Sequence, residues 1–476
     1  MVYFMENLTI DEIIKATKGK LLCDNSNSLH AQIESITTNS REMGKNALFI
    51  PLHGEKIDAH KFIDNAFSNG AIATLTDEHD SVDSNKIYIS VNNTLTALHD
   101  LAAYYRRKFF MPVVGITGSV GKTSTKEMIS CALSSEFNVL KTTGNFNGQI
   151  GLPLTIFNLE KSHNVAVVEM GVSEFDEMKT LSNIALPTFA VMTNIGVTHI
   201  ENFKSRDNIL KEKFHITNSL DEKSILFVNT DDEYLSSISK EQKFKVVTFG
   251  IDKKCDFKAE NIKVDGQNTN FELNFNGKQE TIKIPVIGKH NVYNALAAIA
   301  VGVNLGISIE KLKDALLLYK TLNMRQCIYS VNFDFEKNQS KLSENGNIKL
   351  IDDSYNANPD SMRSAIEVLK LVGEKGRKVA VLADMLELGE ESENLHFELG
   401  KFIAKNKIDV LITIGKEAIN IAKGASGEIN STSVYSFHTN EKASEKLKEI
   451  LQPKDTILIK GSRGMHTEEI VNNFIK

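Results

Sequence analysis

The sequence predicts an α/β protein of three domains. Its 476 residues are long for a single hydrophobic core, so more than one domain is expected. Short apolar strands alternate with helical stretches along most of the chain, which is the pattern of mainly parallel sheets covered by helices. This alternation starts anew near residues 109 and 320, and we therefore place domains at residues 1–108, 109–319 and 320–476.

Composition is that of a soluble globular protein, with 41% hydrophobic and 24% charged residues. The net charge of −6 is spread without a basic block, so no nucleic acid partner is expected. The first residues, MVYFMENLTIDEII, lack a cationic region before an apolar segment, and no uninterrupted apolar stretch of about 18 residues follows. We expect a cytoplasmic monomer that acts on small molecules and does not insert into membranes. Four scattered cysteines fit neither a zinc spacing nor a disulfide framework and are expected to be reduced: Cys23, Cys131, Cys255 and Cys327.

The first domain is predicted to be a small α/β unit. The stretches ALFIPL, AIATLT and KIYISV are short apolar runs of the strand type. The stretch TLTALHDLAAYYRRKFF closes the domain, and its apolar residues recur at helical spacing.

The central domain is predicted to be a mainly parallel sheet with added antiparallel strands. VVGIT, NVAVVEMG, TFAVMTNI and SILFVNT are buried-type strands that alternate with helices. Residues 245–287 instead show alternating stretches separated by DGQN and NGK, which is a hairpin pattern, and we expect them to add antiparallel strands to the sheet. The long helical stretch HNVYNALAAIAVGVNLG follows.

The third domain is predicted to be a Rossmann-like doubly wound unit. From IKLIDDS onward, the strands KVAVLADM, DVLITIG, SVYSF and TILIKGS alternate with helical stretches.

The stretch TGSVGKTS, between a strand and a helix, has the setting of a phosphate-binding P-loop. Backbone N–H groups and the helix N-terminus would bind the phosphates, with Lys122 on the β- and γ-phosphates and Thr123 on Mg²⁺. Five residues separate Gly115 from Gly121, one more than in the general motif. The alternative is a glycine-rich turn before a solvated lysine. The predicted ATP-binding loop residues are Gly118, Ser119, Val120, Gly121, Lys122, Thr123 and Ser124.

Two further residues follow neighbouring predicted strands at the edge where such sheets bind ligands. Glu169 ends the strand NVAVVEMG and is a candidate Mg²⁺ ligand. His199 follows the next strand, although a loop histidine is more often a structural hydrogen bonder. No NKxD motif for guanine occurs, and no hydroxyl-activating base of a kinase is evident. These residues indicate an ATP-dependent enzyme and leave the acceptor open.

Taken together, the motifs resemble the Mur ligases over nearly the whole chain. They are GITGSVGKTSTKEM, GNFNGQIGLPLTIF, VVEMG, TNIGVTHIENF, GKHNVYNALAA, DDSYNANPDSM, VLADMLELG and KGSRGM. Within that family, DDSYNANPDSM and KGSRGM are typical of the member that adds D-alanyl-D-alanine to UDP-N-acetylmuramoyl-tripeptide. The resemblance implies ATP-dependent amide-bond formation through an acyl phosphate, giving UDP-N-acetylmuramoyl-pentapeptide, ADP and phosphate in peptidoglycan precursor synthesis. It also implies that the first domain, through ITTNSREMGKNALFIPLHGEKIDAHKF, binds UDP.

The resemblance further implies two Mg²⁺ ions and an unusual ligand. Thr123, Glu169, His199 and Lys213 would hold the metal, and Lys122 would act with them in catalysis. Lys213 matches the position of a carbamylated lysine in these ligases, whereas its local sequence alone indicates a solvated helix lysine. A bare ammonium cannot ligate Mg²⁺, but a carbamate offers anionic oxygens.

The remaining site residues are carried over from the same resemblance. His290, Asn291 and Asn294 would lie against the adenine, Arg325 on the phosphates and Asp353 on the ribose. From the residues alone, the first set could be a helix cap and the turn around Asp353 only structural. The predicted substrate-binding residues are Ser40, Arg41, Glu55, Lys56, Asn145, Asn147, Tyr355, Asn356, Asn358 and Arg463.

Three positions depart from the family pattern. Asn39 replaces an aspartate before Ser40 and Arg41, Gly148 replaces an asparagine, and Asn323 replaces a glycine. Two alternatives stay open at this point. One is a sister ligase that adds a single amino acid, and the other is a nucleotide-gated binding protein without chemistry. The third residue of the tripeptide, lysine or diaminopimelate, is not encoded in a short motif.

Overall fold

The predicted fold class is confirmed by a computed structural model that describes residues 3–22, 26–78, 83, 85–373, 375–427 and 432–475. Three sheets, of six, nine and seven strands, follow one another along the chain, and each lies inside one of the predicted domain ranges. Cys23 lies outside the described residues. None of the helices in the described ranges is long and apolar enough to cross a membrane.

The first sheet has the order β1-β3-β4-β5-β6-β2, with a parallel centre and an antiparallel strand at each edge. Three of its strands, β1, β2 and β3, were not expected from the sequence. The elements are β1 (Tyr3–Thr9), α1 (Ile10–Thr17), β2 (Lys20–Leu21), β3 (Gln32–Thr37), β4 (Ala47–Phe49), α2 (Ile63–Ser68), β5 (Ala71–Thr76), β6 (Ile87–Ser90) and α3 (Thr94–Arg106).

Helix α3 joins the first domain to the second. The guanidinium of Arg106, which is 5% exposed, donates to the carbonyl oxygens of Ala185 (3.0 Å), Phe109 (2.6 Å) and Met111 (3.1 Å). A buried charge is tolerated when its donors are satisfied in this way. These hydrogen bonds hold the C-terminal end of α3 against the second domain.

The second sheet has the order β15-β14-β13-β12-β11-β10-β7-β9-β8. Its elements are β7 (Val113–Thr117), α4 (Lys122–Leu133), β8 (Val139–Lys141), α5 (Gly151–Ile156), β9 (Val165–Glu169), α6 (Glu177–Ala185), β10 (Phe189–Met192), α7 (Ile200–Phe203), α8 (Arg206–Phe214), β11 (Ile225–Asn229), β12 (Lys245–Gly250), β13 (Phe257–Asp265), β14 (Asn268–Phe275), β15 (Lys278–Ile284), α9 (Lys289–Asn304) and α10 (Ile309–Leu317).

The antiparallel part of this sheet covers fewer residues than the sequence predicts. Strands β13, β14 and β15 pair antiparallel as expected. Strand β12 instead pairs in parallel with β11 on one side and with the start of β13 on the other, so the expectation of an antiparallel strand was wrong for residues 245–250. Strands β7, β9 and β10 lie side by side in parallel and are fully buried, which brings their carboxyl ends to one edge.

The third sheet has the order β17-β16-β18-β22-β19-β20-β21. Its elements are β16 (Cys327–Asp334), β17 (Gln339–Leu342), β18 (Ile348–Asp352), α11 (Pro359–Val372), β19 (Lys378–Ala383), α12 (Ser392–Lys405), β20 (Val410–Ile414), α13 (Ile419–Ser426), β21 (Ser433–Phe437), α14 (Asn440–Ile450), β22 (Thr456–Lys460) and α15 (Glu468–Ile475).

An antiparallel hairpin, β16–β17, precedes the parallel part of this third sheet. Strand β18 was expected to be the first strand of the domain and is the third. It is the first of the parallel strands, so the residues after it still lie at the ligand-binding edge.

Candidate functional site

A cleft of about 680 Å³ lies between the second and third domains. It is bounded by the carboxyl edge of the central sheet on one side and by the loop after β18 and the last residue of β22 on the other. Eighteen of the predicted site residues line it: Ser119, Val120, Gly121, Lys122, Thr123, Ser124, Asn145, Asn147, Glu169, His199, His290, Asn291, Asn294, Arg325, Asp353, Tyr355, Asn356 and Asn358.

The phosphate loop between β7 and α4 is held open by its glycines and by Asn194. Gly118 has φ +150°, and a Cβ there would lie 1.9 Å from Oγ1 of Thr193, so only glycine fits against β10. Gly121, with φ +84°, turns the chain into α4. The side chain of Asn194 accepts a hydrogen bond from the N–H of Val120 at 2.8 Å. The loop is therefore shaped before any phosphate binds.

The Lys122 side chain folds back over this loop. Its Nζ donates to the carbonyl oxygen of Gly118 at 2.8 Å. Burial lowers the pKa of Lys122, the nearby Glu169 raises it, and Arg325 lowers it again. A phosphate between Lys122 and Arg325 would relieve this repulsion.

Glu169, at the end of β9, is the clearest metal-ligand candidate. Its side chain is 2% exposed, and Oε1 accepts a hydrogen bond from Nδ2 of Asn147 at 2.8 Å. Its Oε2 is buried without a hydrogen-bond partner among the described residues. An unpaired buried carboxylate oxygen is costly unless a cation binds it, so the site fits a Mg²⁺ ion.

His199 links the two domains that form the cleft. It has φ +57°, and its Nδ1 lies 2.8 Å from Oε2 of Glu387 in the third domain. This contact with His199 holds the pKa of Glu387 below its usual range. A second contact lies beside it, where Nδ2 of Asn358 donates to Oγ1 of Thr198 at 3.4 Å. The third domain is therefore in direct contact with the loop that carries His199.

Lys213, on α8, is 1% exposed and is not among the residues that line the cleft. Within the described part of the chain its ammonium has no acceptor and no ion-pair partner. The neighbouring Glu212 does not serve, because its carboxylate accepts the N–H groups of Asp176 and Met178 at 3.0 and 2.7 Å. Burial holds the pKa of Lys213 well below its usual range, and repulsion from Lys122 lowers it further. A lowered pKa favours the neutral, nucleophilic amine that reacts with CO₂, so this position fits carbamylation.

A hydrogen-bond network connects α9 to the linker of the third domain. Nε2–H of His290 donates to Oε1 of Gln326 at 2.7 Å, and Nε2 of Gln326 donates to the carbonyl oxygen of Ile287 at 2.6 Å. Burial lowers the pKa of His290. The guanidinium of Arg325 stacks on the ring of Tyr355 at 3.9 Å. This end of the cleft offers neutral polar groups and one cation, as a nucleoside phosphate requires.

Asp353 is paired with Lys460, a residue that the sequence analysis did not single out. Nζ of Lys460 lies 2.6 Å from Oδ2 of Asp353 and also donates to the carbonyl oxygen of Asn356 at 2.9 Å. The two side chains are 3% and 20% exposed. The pair fixes the loop after β18 against the end of β22.

We expect Lys460→Met to destabilise the third domain by about 3 kcal/mol, because it leaves the Asp353 carboxylate largely buried and unpaired. The urea midpoint of that domain should fall, and Lys460→Met/Asp353→Asn should recover most of the loss. Lys401→Met, which removes an exposed pair with Glu398, is the control and should stay within about 0.5 kcal/mol. An equal midpoint for Lys460→Met and the wild type would refute this assignment of the pair.

Several predicted residues lie outside the cleft. Gly118 and Lys213 are both buried and do not line it. Ser40 is buried in the first domain, and its carbonyl oxygen accepts from Nδ2 of Asn69 at 2.8 Å. Arg463 is exposed and pairs with Glu468 at 3.0 Å. The other three predicted residues of the first domain, Arg41, Glu55 and Lys56, are exposed.

Two of the three departures from the family pattern, Asn39 and Gly148, are accommodated locally. Oδ1 of Asn39 accepts the N–H of Arg41 at 3.1 Å, a bond that an aspartate at this position would also accept. A Cβ on Gly148 would meet nothing within 4 Å.

Lys460, Gln326, Asn194 and Glu387 were missed by the sequence analysis. A signal existed for Lys460, because a charged residue that ends an apolar strand at the ligand edge had already drawn attention to Glu169. No comparable signal marks Gln326 or Glu387, since each acts through a partner distant in sequence.

A phosphate loop, a buried carboxylate on the adjacent strand and a third domain on the same cleft define an ATP-dependent enzyme of the P-loop type. Three family profiles match the chain, described as Mur ligase family, catalytic domain (residues 32–106), Mur ligase middle domain (116–302) and Mur ligase, glutamate ligase domain (339–463). The chain belongs to the Mur ligase family, which confirms the resemblance, and it is an ATP-dependent ligase.

Named relatives match along the full length. The chain is 37% identical over 469 residues to the UDP-N-acetylmuramoyl-tripeptide–D-alanyl-D-alanine ligase of Bacillus subtilis, covering 98% of each chain. It is 33% identical to the ligase of the same name from Escherichia coli, again over 98% of each. A crystal structure of MurF from Acinetobacter baumannii is 30% identical, with a TM-score of 0.88 over 98% of each chain. The MurF ligase of Thermotoga maritima, solved in complex with ADP, has a TM-score of 0.80 at 29% identity, covering 92% of this chain and 96% of the other.

Proposed function

We propose that this protein joins D-alanyl-D-alanine to the terminal carboxylate of UDP-N-acetylmuramoyl-tripeptide, consuming ATP and releasing ADP and phosphate. The observation that carries the proposal is the buried, unpaired oxygen of Glu169 beside Lys122, in a cleft that a third domain also lines. The full-length similarity to ligases of this name supports the choice of substrates.

The chemistry explains the need for a cation-rich cleft. A carboxylate is a poor electrophile, so its oxygen first attacks the γ-phosphorus of ATP and ADP leaves, giving an acyl phosphate. The amine of the dipeptide then adds to the acyl carbon, and phosphate departs as the amide forms. Both partners of the first step are anions, and Lys122 and Arg325 reduce their repulsion.

Mg²⁺ would be held by Thr123, Glu169, His199 and a carbamylated Lys213. The unpaired oxygen of Glu169 and the buried, partnerless amine of Lys213 support this set. Two ions, when bound, would screen the phosphate charge and polarise the reacting oxygens. His199 is already oriented by Glu387, as ligating histidines are by an outer carboxylate.

The remaining residues divide between the substrates. The phosphate loop holds the triphosphate, with Arg325 on its charge, His290, Asn291 and Asn294 beside the base and Asp353 on the ribose. The first domain binds the UDP moiety through Ser40, Arg41, Glu55 and Lys56. Asn145, Asn147, Tyr355, Asn356, Asn358 and Arg463 contact the peptides.

We place the domain boundaries at residues 108/109 and 319/320, because each sheet is complete within one of these ranges. The protein works as a monomer in the cytoplasm. The central and third domains of this chain form both walls of the cleft, which supports the monomer.

The proposal predicts which acceptor supports turnover. With ATP, Mg²⁺ and UDP-N-acetylmuramoyl-tripeptide, phosphate release should require D-alanyl-D-alanine and should yield the pentapeptide by mass spectrometry. The assay should be run with the lysine and the diaminopimelate tripeptides, since the third residue is not settled by any short motif.

The controls separate the alternatives. Release of phosphate with glutamate or lysine but never with the dipeptide would instead identify a sister ligase. ATP binding without acceptor-dependent turnover would identify a nucleotide-gated binding protein.

A further inference from the structure

A cluster of two histidines and three acidic residues lies in the first domain, in sequence far from the cleft residues of the other two domains. His53, Asp58 and His60 come from the segment after β4, and Asp77 and Glu78 follow β5. One ligand atom from each of His53, Asp58, His60 and Glu78 can be chosen so that all four lie within 4.8 Å of one another. We propose that these four residues bind a divalent metal ion of the zinc class.

In both histidines Nδ1 is the nitrogen that faces Asp58, and in His53 it also faces Glu78. Nδ1 of His53 lies 3.5 Å from Oδ1 of Asp58 and 3.9 Å from Oε1 of Glu78. Nδ1 of His60 lies 2.8 Å from the same oxygen of Asp58. Ligand atoms around a tetrahedral zinc ion are about 3.3 Å apart, given bonds of about 2.0 to 2.1 Å. Small side-chain rotations would bring this set to that spacing.

The opposite nitrogens face a carboxylate that would act as the outer partner. Oδ1 of Asp77 lies 3.0 Å from Nε2 of His53 and 2.9 Å from Nε2 of His60. The other oxygen of Asp77 accepts the N–H of Thr94 at 3.0 Å, which fixes the carboxylate. Metal-binding histidines usually donate their second nitrogen to such a group. The stacked rings, with centroids 4.6 Å apart and planes inclined by 27°, therefore have one edge toward the ion site and one toward Asp77.

Two further observations favour a cation over a purely structural network. Nε2 of His60, on the Asp77 edge, is buried and makes no hydrogen bond within the described chain although Oδ1 of Asp77 is 2.9 Å away, so in this ring orientation only Nδ1, which pairs with Asp58, is satisfied. Among the described residues, no lysine or arginine pairs with Asp58, Asp77 or Glu78. Three carboxylates share two imidazoles, and a divalent ion would balance the excess negative charge. Imidazole and carboxylate donors together suit zinc better than magnesium.

The position of the cluster suggests what the ion would do. His53 and Asp58 form an isolated antiparallel bridge at the base of the loop of residues 54–57. That loop carries Glu55 and Lys56, which we assign to the UDP-linked substrate. An ion at this bridge would fix the base of the loop. The consequence for substrate rests on the proposed function, whereas metal binding itself does not.

The test is a titration of the full-length, chelator-treated protein with Zn²⁺ by calorimetry, in a buffer that contains millimolar Mg²⁺ to occupy the hard-metal sites. We expect one equivalent of Zn²⁺ to bind, and its affinity to fall at least 10-fold in His53→Gln and in Glu78→Gln. Asp77→Asn should weaken binding by about 10- to 100-fold, as loss of an outer partner does. His30→Gln, an exposed histidine of the same domain, is the matched control and should bind as the wild type does.

Measurements of thermal stability show whether a variant that binds less Zn²⁺ is still folded. The side chains of His53 and Glu78 are 45% and 43% exposed, so both variants should keep the metal-free melting temperature and circular dichroism spectrum. Zn²⁺ should raise the melting temperature of the wild type and of His30→Gln but not of His53→Gln/Glu78→Gln. Absence of stoichiometric Zn²⁺ binding, or equal affinity and equal stabilisation in the double variant, would overturn the proposal. No readout depends on ligation, so its failure is distinguishable from failure of the proposed function.

Discussion

Replacement of Lys213 by alanine is expected to lower the rate of ligation by at least about 10³-fold, the loss of about 4 kcal/mol of transition-state stabilisation. The reason is the state of the amine. It is buried without an acceptor, and both burial and repulsion from Lys122 lower its pKa, which favours the neutral form of the amine that can add to CO₂. The resulting carbamate would supply the anionic oxygens that a bare lysine lacks.

Small anions should partly restore the activity of Lys213→Ala. The alanine variant leaves a cavity into which bicarbonate with small carboxylic acids can bring an anion, and ligation by steady-state phosphate release should partly return. Lys211→Ala is the matched control, because Lys211 is exposed on the same helix. Full activity of Lys213→Ala, with no response to added acids, would exclude the carbamate.

The wild type should depend on dissolved CO₂ in a related way. The depressed pKa of Lys213 means that a neutral amine is available at lower pH than for a surface lysine, and protonation as the pH falls further removes it. Enzyme that has been held in CO₂-free buffer at low pH should lose activity and recover it with bicarbonate. Unchanged activity after this treatment would contradict carbamylation.

The phosphate loop and Glu169 could be predicted because their signals are local. A strand, a glycine turn and a helix start lie within a few consecutive residues, and an acid that ends a buried strand lies at the same edge by the geometry of parallel sheets. The strand β1 was missed because its sequence, YFMENLT, shows no clear alternation of apolar and polar residues. It forms a strand because it pairs with β3, which is distant in sequence.

Lys213 shows why the rest of the site could not be predicted from residues alone. The helix RDNILKEKF has almost no amphipathic pattern, yet Glu212 and Lys213 are both buried in it. Glu212 is buried because it caps the N-terminal turn of α6, a contact decided by tertiary packing. The pairs of His199 with Glu387 and of Asp353 with Lys460 also join segments distant in sequence, and no spacing rule connects them.

Glu169→Gln is expected to lower kcat by at least about 10³-fold while leaving the protein folded. The glutamine can keep the hydrogen bond that Asn147 donates to Oε1, so the shape of the site is retained. It replaces the unpaired oxygen Oε2 by an amide NH₂, which cannot bind a cation. The substitution therefore removes the negative charge and the ligand atom and changes little else.

In Glu169→Gln, Mg²⁺ and the nucleotide should no longer strengthen each other's binding. In the wild type, Mg²⁺ added with a non-hydrolysable ATP analogue should raise the melting temperature well above the value with either alone, because ligands that bind only the native state stabilise it. In Glu169→Gln most of this additional increase in melting temperature should disappear, although the analogue can still bind the N–H groups of the phosphate loop and Lys122. Glu174→Gln, an exposed acid five residues along the chain, is the control and should keep both kcat and the additional increase. Wild-type turnover and wild-type Mg²⁺ coupling in Glu169→Gln would mean that the buried oxygen is not a metal ligand, and the acyl-phosphate step would need another source of charge stabilisation.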